Sequence, residues 1–597
     1  MRLIREVPFW KLALLSLSLL LAPQPLKDCG NYFFLPKQAS LPLFSNLFLI
    51  TGTVSLAWLF IQYLRDNPEG ALYKVCTLFD GFIFKRFYIQ TIIICSIFIF
   101  CMASLIAFAT YDYMPHISDE ISQLFQAKIF LSGHLTAPSP PLPEFFTYAE
   151  DNIIVTPKWY SQYPPGFSFL LMIGLWLGSP WVINPLLAAL STVLIFLLCR
   201  ELFDRETAVL SVILFALSPK VLFTSGSLMN HSAAMFFLLL AVASMVFAVR
   251  RQKALLALCS GISLGISLNI RTLDAVILYL PVGIYSLSAV SSYGKKGLKI
   301  LGMWLCGFLM MAGILLLYNY YTTGNPLLFG YIARWGESHH LGFHKIRGGR
   351  MHTPLTGLIN TALQIRLTDK GLFEWVVPMS FFILAVILLV KKTAGDWIFL
   401  SICFCTSFLY FYWGWTDRLL MGRFYFSVTP YLVILVARGL LHVARQFSGG
   451  PDAKDPVQGN KKPSYALCIV GLFILISAPV RVDDLGSQYI IPHLQVDRRL
   501  QQEVAQKKLH NAVVFIEPQD KHELIVGSGF FMNTPDLESQ DIIYAKDLGK
   551  KDKELLKQYP KRKGFIYQHR RQIIKTVDKG YCISPPEAFE LVTIDGR

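Results

Sequence analysis

The sequence predicts a polytopic α-helical membrane protein, with about thirteen transmembrane helices and a small soluble α/β domain at its C-terminus. Three observations carry that class. Of 597 residues, 54% are hydrophobic and 16% charged, where soluble domains run at about 25% charged. That balance excludes disorder, collagen and a disulfide scaffold. Apolar runs of the length that crosses a bilayer recur along the first 480 residues. Charge is also uneven: residues 481–597 hold 19 Lys+Arg and 17 Asp+Glu, and the first 480 hold 36 and 22. Of the net +16, the membrane part thus carries +14. It reads as membrane orientation and lipid contact before nucleic acid.

The expected spans are 7–26, 43–64, 90–111, 181–200, 207–224, 230–249, 254–270, 273–290, 301–321, 376–392, 396–415, 424–442 and 464–480. The run 167–178 is too short to cross and reads as a re-entrant or interfacial helix. The positive-inside rule tests the count. Arg2, Arg5 and Lys11 place the N-terminus inside. Lys85-Arg86, Arg200 with Arg205, Arg250-Arg251-Lys253, Lys295-Lys296-Lys299, Lys391-Lys392 and Arg445 to Lys462 then all fall on that side. An odd number of spans follows, with the C-terminal domain on the far side. The first segment also fits a signal peptide, whose cleavage leaves the remaining topology unchanged. Cys29 and Cys582 are the cysteines expected outside the spans, and no C-x-x-C pairing appears. The expected organisation is 1–89 (extra N-terminal helices), 90–480 (main membrane unit) and 481–597.

Two outside loops exceed connector length, 112–180 and 322–375, and long ordered loops are usually functional. In the first, Asp119 and Glu120 open a helical pattern with Ser118 as N-cap, an apolar stripe suited to the outer membrane face and a stop at Ser132-Gly133. A Pro-rich turn follows, then Lys158-Trp-Tyr-Ser-Gln-Tyr-Pro-Pro-Gly166. The second loop carries Arg334, Lys345, Arg347, Arg350, Arg366 and Lys370 against Glu337, Asp369 and Glu374. A basic outside loop runs against the charge rule. A phosphate ligand would compensate it; lipid headgroup contact or a solvated face is the plainer reading. In the tail, 511–516, 542–545, 564–567 and 589–594 read as strands, and 498–508 and 552–558 as helices.

Asp119 suits a general base at an apolar interface, although helix capping and dipole matching would satisfy the same Asp-Glu pair. Arg271 and Asp274 lie three apart near the outer end of a span, as a functional pair or a structural ion pair. Arg423, at the start of the span from 424, is an interface anchor or a phosphate ligand. Lys220 reads as a snorkelling side chain and His231 as a polar cap. His339, His340 and His344 have metal-ligand spacing only if helical, and glycines 336 and 342 break that helix. No P-loop, dinucleotide fingerprint, serine elbow or HExxH is present.

Taken together these motifs resemble the GT-C superfamily of integral-membrane glycosyltransferases. Within it they resemble the branch of the protein O-mannosyltransferases and the lipid A aminoarabinose transferase. The resemblance covers 111–480. It rests on Asp119-Glu120 through Ser132-Gly133, Tyr163-Pro-Pro-Gly166, Arg271-Thr-Leu-Asp-Ala275 with Pro281, Gly324-Asn-Pro-Leu327, and Gly422-Arg-Phe-Tyr425 with Pro430. Relatives near the aminoarabinose enzyme carry Lys immediately before Pro-Pro, where Tyr163 stands here. The resemblance implies transfer of a sugar from a polyprenyl-phosphate carrier to a lipid, glycan or protein acceptor on the outer face of a bacterial inner membrane. Asp119 would be the base, Glu120 would position the acceptor or a divalent cation, and Lys158, Arg271, Arg334 and Arg423 would hold the phosphate. Tyr160, Tyr163, Asp274, His339 and His340 are the substrate-binding candidates. No metal site or other cofactor is assigned, and no nucleic-acid partner. Two further classes remain open: a flippase or transporter of polyprenyl-linked glycans, and a ligase or polymerase using pyrophosphate carriers.

Overall fold

Each expected span within the described residues is helical, because continuous apolar runs must satisfy their backbone groups internally. The structure, a computed structural model, describes residues 52–594 apart from 54, 58, 65, 67–69, 148–151, 347–348, 416–418, 448–464, 486–497, 519–525 and 570–588. The expected span or signal segment at 7–26, Arg2, Arg5, Lys11, Arg347, Lys462, Cys29 and Cys582 lie outside the described residues.

The helices used below are α1 (Tyr88–Ala109), α2 (Ser118–Leu131), α3 (Pro165–Trp176), α4 (Ile183–Leu202), α5 (Arg205–Ala216), α6 (Pro219–Gly226), α7 (His231–Arg251), α8 (Ala254–Leu268), α9 (Thr272–Val290), α10 (Lys295–Thr323), α11 (Pro354–Gly371), α12 (Ala394–Phe411) and α13 (Thr429–Phe447). Among the described residues, seven helices are long and apolar enough to cross a membrane: α1, α4, α7, α9, α10, α12 and α13, some with a short adjoining turn. The count rises to eight if the bent pair α5–α6 is one span. The expected spans near 43–64, 254–270, 376–392 and 464–480 form shorter apolar helices among the described residues. The span expected at 207–224 is broken, with α5 and α6 bent by 54°. Pro219 supplies no N–H to continue α5, and the Ser218 hydroxyl accepts from the Val221 N–H at 3.4 Å to start α6.

α7 and α13 form the centre, with 83% and 89% of their apolar windows buried against 17% for α10. Small residues allow the close helix crossings. A Cβ at Gly261 of α8 would sit 2.0 Å from the Trp304 carbonyl oxygen of α10.

α2 begins one residue earlier than expected. Ile117, extended at φ −124°, is its N-cap, and Ser118 is its first residue with no side-chain capping bond. Nor does α2 lie on the membrane with one face free: Glu120 to Ala127 and Ile129 are all buried. Leu124 and Ala127 pack with Phe167 and Leu171 of α3 and with Trp181. Phe125 and Ile129 pack with Val513 and Phe515 of the tail. The tail therefore covers the face that the amphipathic pattern assigned to the membrane surface.

The first loop adds three short strands, β1 (Ala137–Pro138), β2 (Ile153–Ile154) and β3 (Lys158–Ser161), antiparallel in the order β1-β3-β2. The tail holds β4 (Ala512–Ile516), β5 (Ile542–Lys546), β6 (Lys563–His569) and β7 (Phe589–Thr593) in the order β5-β4-β6-β7. β4 pairs in parallel on both sides, and β6 pairs antiparallel with β7. β4 is buried throughout, as its unbroken apolar run requires in a parallel sheet. Helices Arg499–Gln506 and Asp552–Gln558 accompany the sheet.

Candidate active site

Asp119 stands in the first turn of α2, where a carboxylate suits the positive end of the helix dipole. Its Oδ2 accepts from Arg423 at 2.7 Å, and its Oδ1 accepts from the Asn152 side-chain amide, also at 2.7 Å. The Asn152 amide nitrogen also lies 3.1 Å from Ser118 Oγ and 3.2 Å from the Tyr163 hydroxyl oxygen. A carboxylate placed 304 residues from Arg423 in sequence is thus bracketed by one cation and one neutral donor. Both partners of the ion pair are nearly covered, with side chains 18% and 12% exposed. Low local dielectric strengthens such a pair and makes separating its members costly.

Arg423 reaches Asp119 through an unusual backbone. Leu420, Met421 and Gly422 are consecutive left-handed residues, at φ 48°, 53° and 75°. At Gly422 the positive φ favours glycine, and a Cβ there would also crowd the Gln364 side-chain oxygen at 3.0 Å.

Glu120 does not share Asp119's partners. Its buried Oε2 accepts the His116 backbone N–H at 2.8 Å. Burial pushes its carboxyl up to about 7, with the Asp119 charge adding to that and backbone N–H groups opposing it.

A second polar cluster surrounds Arg271 at the N-terminus of α9. Its guanidinium donates to Asp274 at 2.7 Å and to the Tyr410 hydroxyl at 2.7 Å, and lies 3.0 Å from His231 Nε2. Tyr410 and Ser427 in turn donate to Asp274 at 2.8 and 2.7 Å. His231, expected as a cap, is instead buried against Arg271 and lies within electrostatic reach of Arg423 and Lys220. Tyr331 links the two clusters, feeling the charges of Arg271, Asp119 and Asp274. Its ring meets Tyr163 edge-on at 5.2 Å and stacks on His339 at 5.5 Å. Gly330 permits this approach, since its Cβ would stand 2.4 Å from the Gln162 carbonyl oxygen. Desolvation holds the Tyr163 phenol well above its ordinary range, reinforced by Asp119.

The structure therefore gathers Asp119, Tyr163, Arg271, Asp274 and His339 around Tyr331, with Arg423 paired to Asp119. It sets other candidates apart. Lys158 donates to the Tyr321 carbonyl at 2.5 Å and lies over that residue's ring, at 4.7 Å. Tyr160 is buried on β3, where desolvation raises its phenol. Arg334 lies over the Trp335 ring, and exposed His340 faces Glu337 at 3.6 Å. Lys220 does not snorkel: it is fully buried and bonded within the protein. Among the described residues no three His, Cys, Asp or Glu side chains form a metal-holding group. Sequence reasoning missed Asn152, Tyr331, Tyr410 and Ser427. Asn152 sits in a loop and Tyr331 on the short helix Gly330–Trp335, neither within a motif, while Tyr410 and Ser427 look like ordinary span residues.

Residues 163–318 match the sequence model of the dolichyl-phosphate-mannose-protein mannosyltransferase family. No curated protein matches the chain. Among solved structures it is similar to apo ArnT from Cupriavidus metallidurans, at 12% identity and a TM-score of 0.47, covering 80% of this chain and 92% of that one. It is similar to the apo oligosaccharyltransferase of Archaeoglobus fulgidus, at 14% identity and 0.43, covering 81% and 70%. The arabinosyltransferase EmbB of Mycobacterium smegmatis gives 12% and 0.40, covering 76% and 44%. The family match holds Tyr163, His231, Arg271 and Asp274 and leaves out Asp119 and Arg423. Over that segment the chain resembles the mannosyltransferases of the GT-C superfamily, the family to which its motifs point.

Proposed function

We propose that this protein is an inverting glycosyltransferase of a bacterial inner membrane. It moves a sugar from a polyprenyl-phosphate carrier to an acceptor hydroxyl on the periplasmic face. The observation that carries this reading is the bracketing of Asp119 by Arg423 and Asn152 beside the Arg271 cluster. In a displacement, Asp119 accepts the acceptor's hydroxyl proton as its oxygen attacks the anomeric carbon. The bond from that carbon to the phosphate oxygen breaks, and the lipid phosphate leaves with the electron pair. Attack opposite the leaving group inverts the carbon. Arg423 and Arg271 are the cations suited to the phosphate, because a guanidinium placed where charge develops lowers the barrier. Glu120, its carboxyl pushed up to about 7 by burial, is protonated in part at neutral pH and in that form can donate a hydrogen bond to the acceptor. An apolar cleft lined by Ile277, Leu341, Phe408, Leu409 and Tyr412 suits part of an isoprenoid tail.

The test is a donor screen on the purified full chain in lipid nanodiscs. Undecaprenyl-phosphate sugars should yield glycoside with inverted anomeric configuration, and pyrophosphate-linked sugars none. Use of the pyrophosphate carrier, or movement of the lipid across a bilayer without glycoside formation, would overturn the reading.

A further inference from the structure

Lys220 is a buried cation for which the proposed displacement has no use. It lies in the first turn of α6, just past the break that Pro219 makes, with no exposed surface. Its ammonium donates to Thr368 Oγ1 at 3.0 Å, to the Met421 carbonyl at 2.8 Å and to the Gly422 carbonyl at 2.9 Å. A lysine ammonium has three donors, and three neutral oxygens take them. None is left to bind an anion, so this is not a further phosphate ligand.

Two of those oxygens belong to the left-handed run Leu420-Met421-Gly422 that immediately precedes Arg423. Leu420 and Met421 have side chains, for which this backbone region is disfavoured. Something must hold them there. Packing supplies part: a Cβ on Gly371 would stand 2.3 Å from Met421 Cβ, so α11 and this segment are in close contact. The Gly422 carbonyl is shared, accepting the Tyr425 N–H at 3.1 Å as well as Lys220. A charged donor is the strong way to fix such carbonyls in a dry interior.

We propose that Lys220 is a positioning residue: its ammonium clamps the left-handed segment Leu420–Gly422 so that Arg423 is presented to Asp119. The assignment of Arg423 to phosphate rests on the function proposed above; the clamp itself does not.

Hydrogen exchange of the full chain in nanodiscs separates the two. In Lys220→Met, of similar length and volume, exchange at Met421 to Phe426, including the Tyr425 amide, rises about tenfold or more, while α7 and α9 keep wild-type protection. Thr368→Val, which removes one of the three contacts, gives a rise of about threefold and keeps the test open if the first variant fails to fold. Unchanged exchange at 421–426, or a uniform rise across α4, α7 and α9, would overturn the clamp. On the donors above, Lys220→Met should lower kcat and leave the acceptor KM in place. Local loss of protection with wild-type transfer would uphold the clamp and count against Arg423 as the phosphate ligand.

Discussion

Replacing Arg423 by Met removes the cation 2.7 Å from Asp119 and leaves that carboxylate among neutral partners, with the Asn152 amide at 2.7 Å. Two unit charges about 4 Å apart interact by about 4 kcal/mol at an effective dielectric constant near 20. Part of that is offset by solvation of the exposed fraction. The larger loss is in the reaction, where removing one preorganised donor aimed at developing charge costs about 10²–10³-fold in kcat. Arg423→Lys keeps charge but not the planar fork and should recover part of that loss. The assay is single-turnover transfer in nanodiscs from an undecaprenyl-phosphate sugar, with the acceptor saturating. Asp119→Asn and the double variant complete the cycle. If the pair works as one unit, the double variant is no slower than Asp119→Asn alone. Transfer by Arg423→Met within about threefold of wild type, against the expectation for a lost charge-stabilising donor, would refute the assignment.

Asn152→Ala removes the amide that joins Asp119 to Tyr163, and should lower kcat about tenfold with little change in donor KM; an unchanged kcat would assign Asn152 a packing role. Glu120 gives a pH signature. Its carboxyl is raised to about 7 from an ordinary 4.5, so the folded chain binds the proton more tightly than the unfolded one. The stabilisation is complete below pH 4.5 and is lost as pH rises through 7. The Tm of wild type should therefore fall between pH 5 and roughly 8, and Glu120→Gln should flatten that slope. A slope unaltered in the variant would show that another group carries it.

Much of the membrane architecture was legible because span length and the apolar run state the same requirement. The strand runs 511–516 and 542–545 were legible for a related reason, being bounded apolar stretches rich in β-branched residues. Break points were less so: Pro219 stood in plain view, yet the apolar sequence on either side read as one span. The amphipathic stripe of α2 was visible, but a stripe does not say what covers it, and here Phe515 and its neighbours do. Of the site, charged residues near span ends were legible because charge there is rare. Tyr410, Ser427 and Asn152 were not, since a hydroxyl or amide in a span or loop is unremarkable until folding sets it beside a charge. Lys220 shows the limit most clearly: a lysine near a span end reads as reaching for water, and only the fold reveals oxygens from α11 and the 420–422 segment around it.

The most direct measurement is glycoside formation by Asp119→Asn in nanodiscs with an undecaprenyl-phosphate sugar, alongside a folding control by Tm. The account predicts a fall of about 10³-fold or more in a protein that still inserts and melts like wild type. Transfer by that folded variant at the wild-type rate would contradict it.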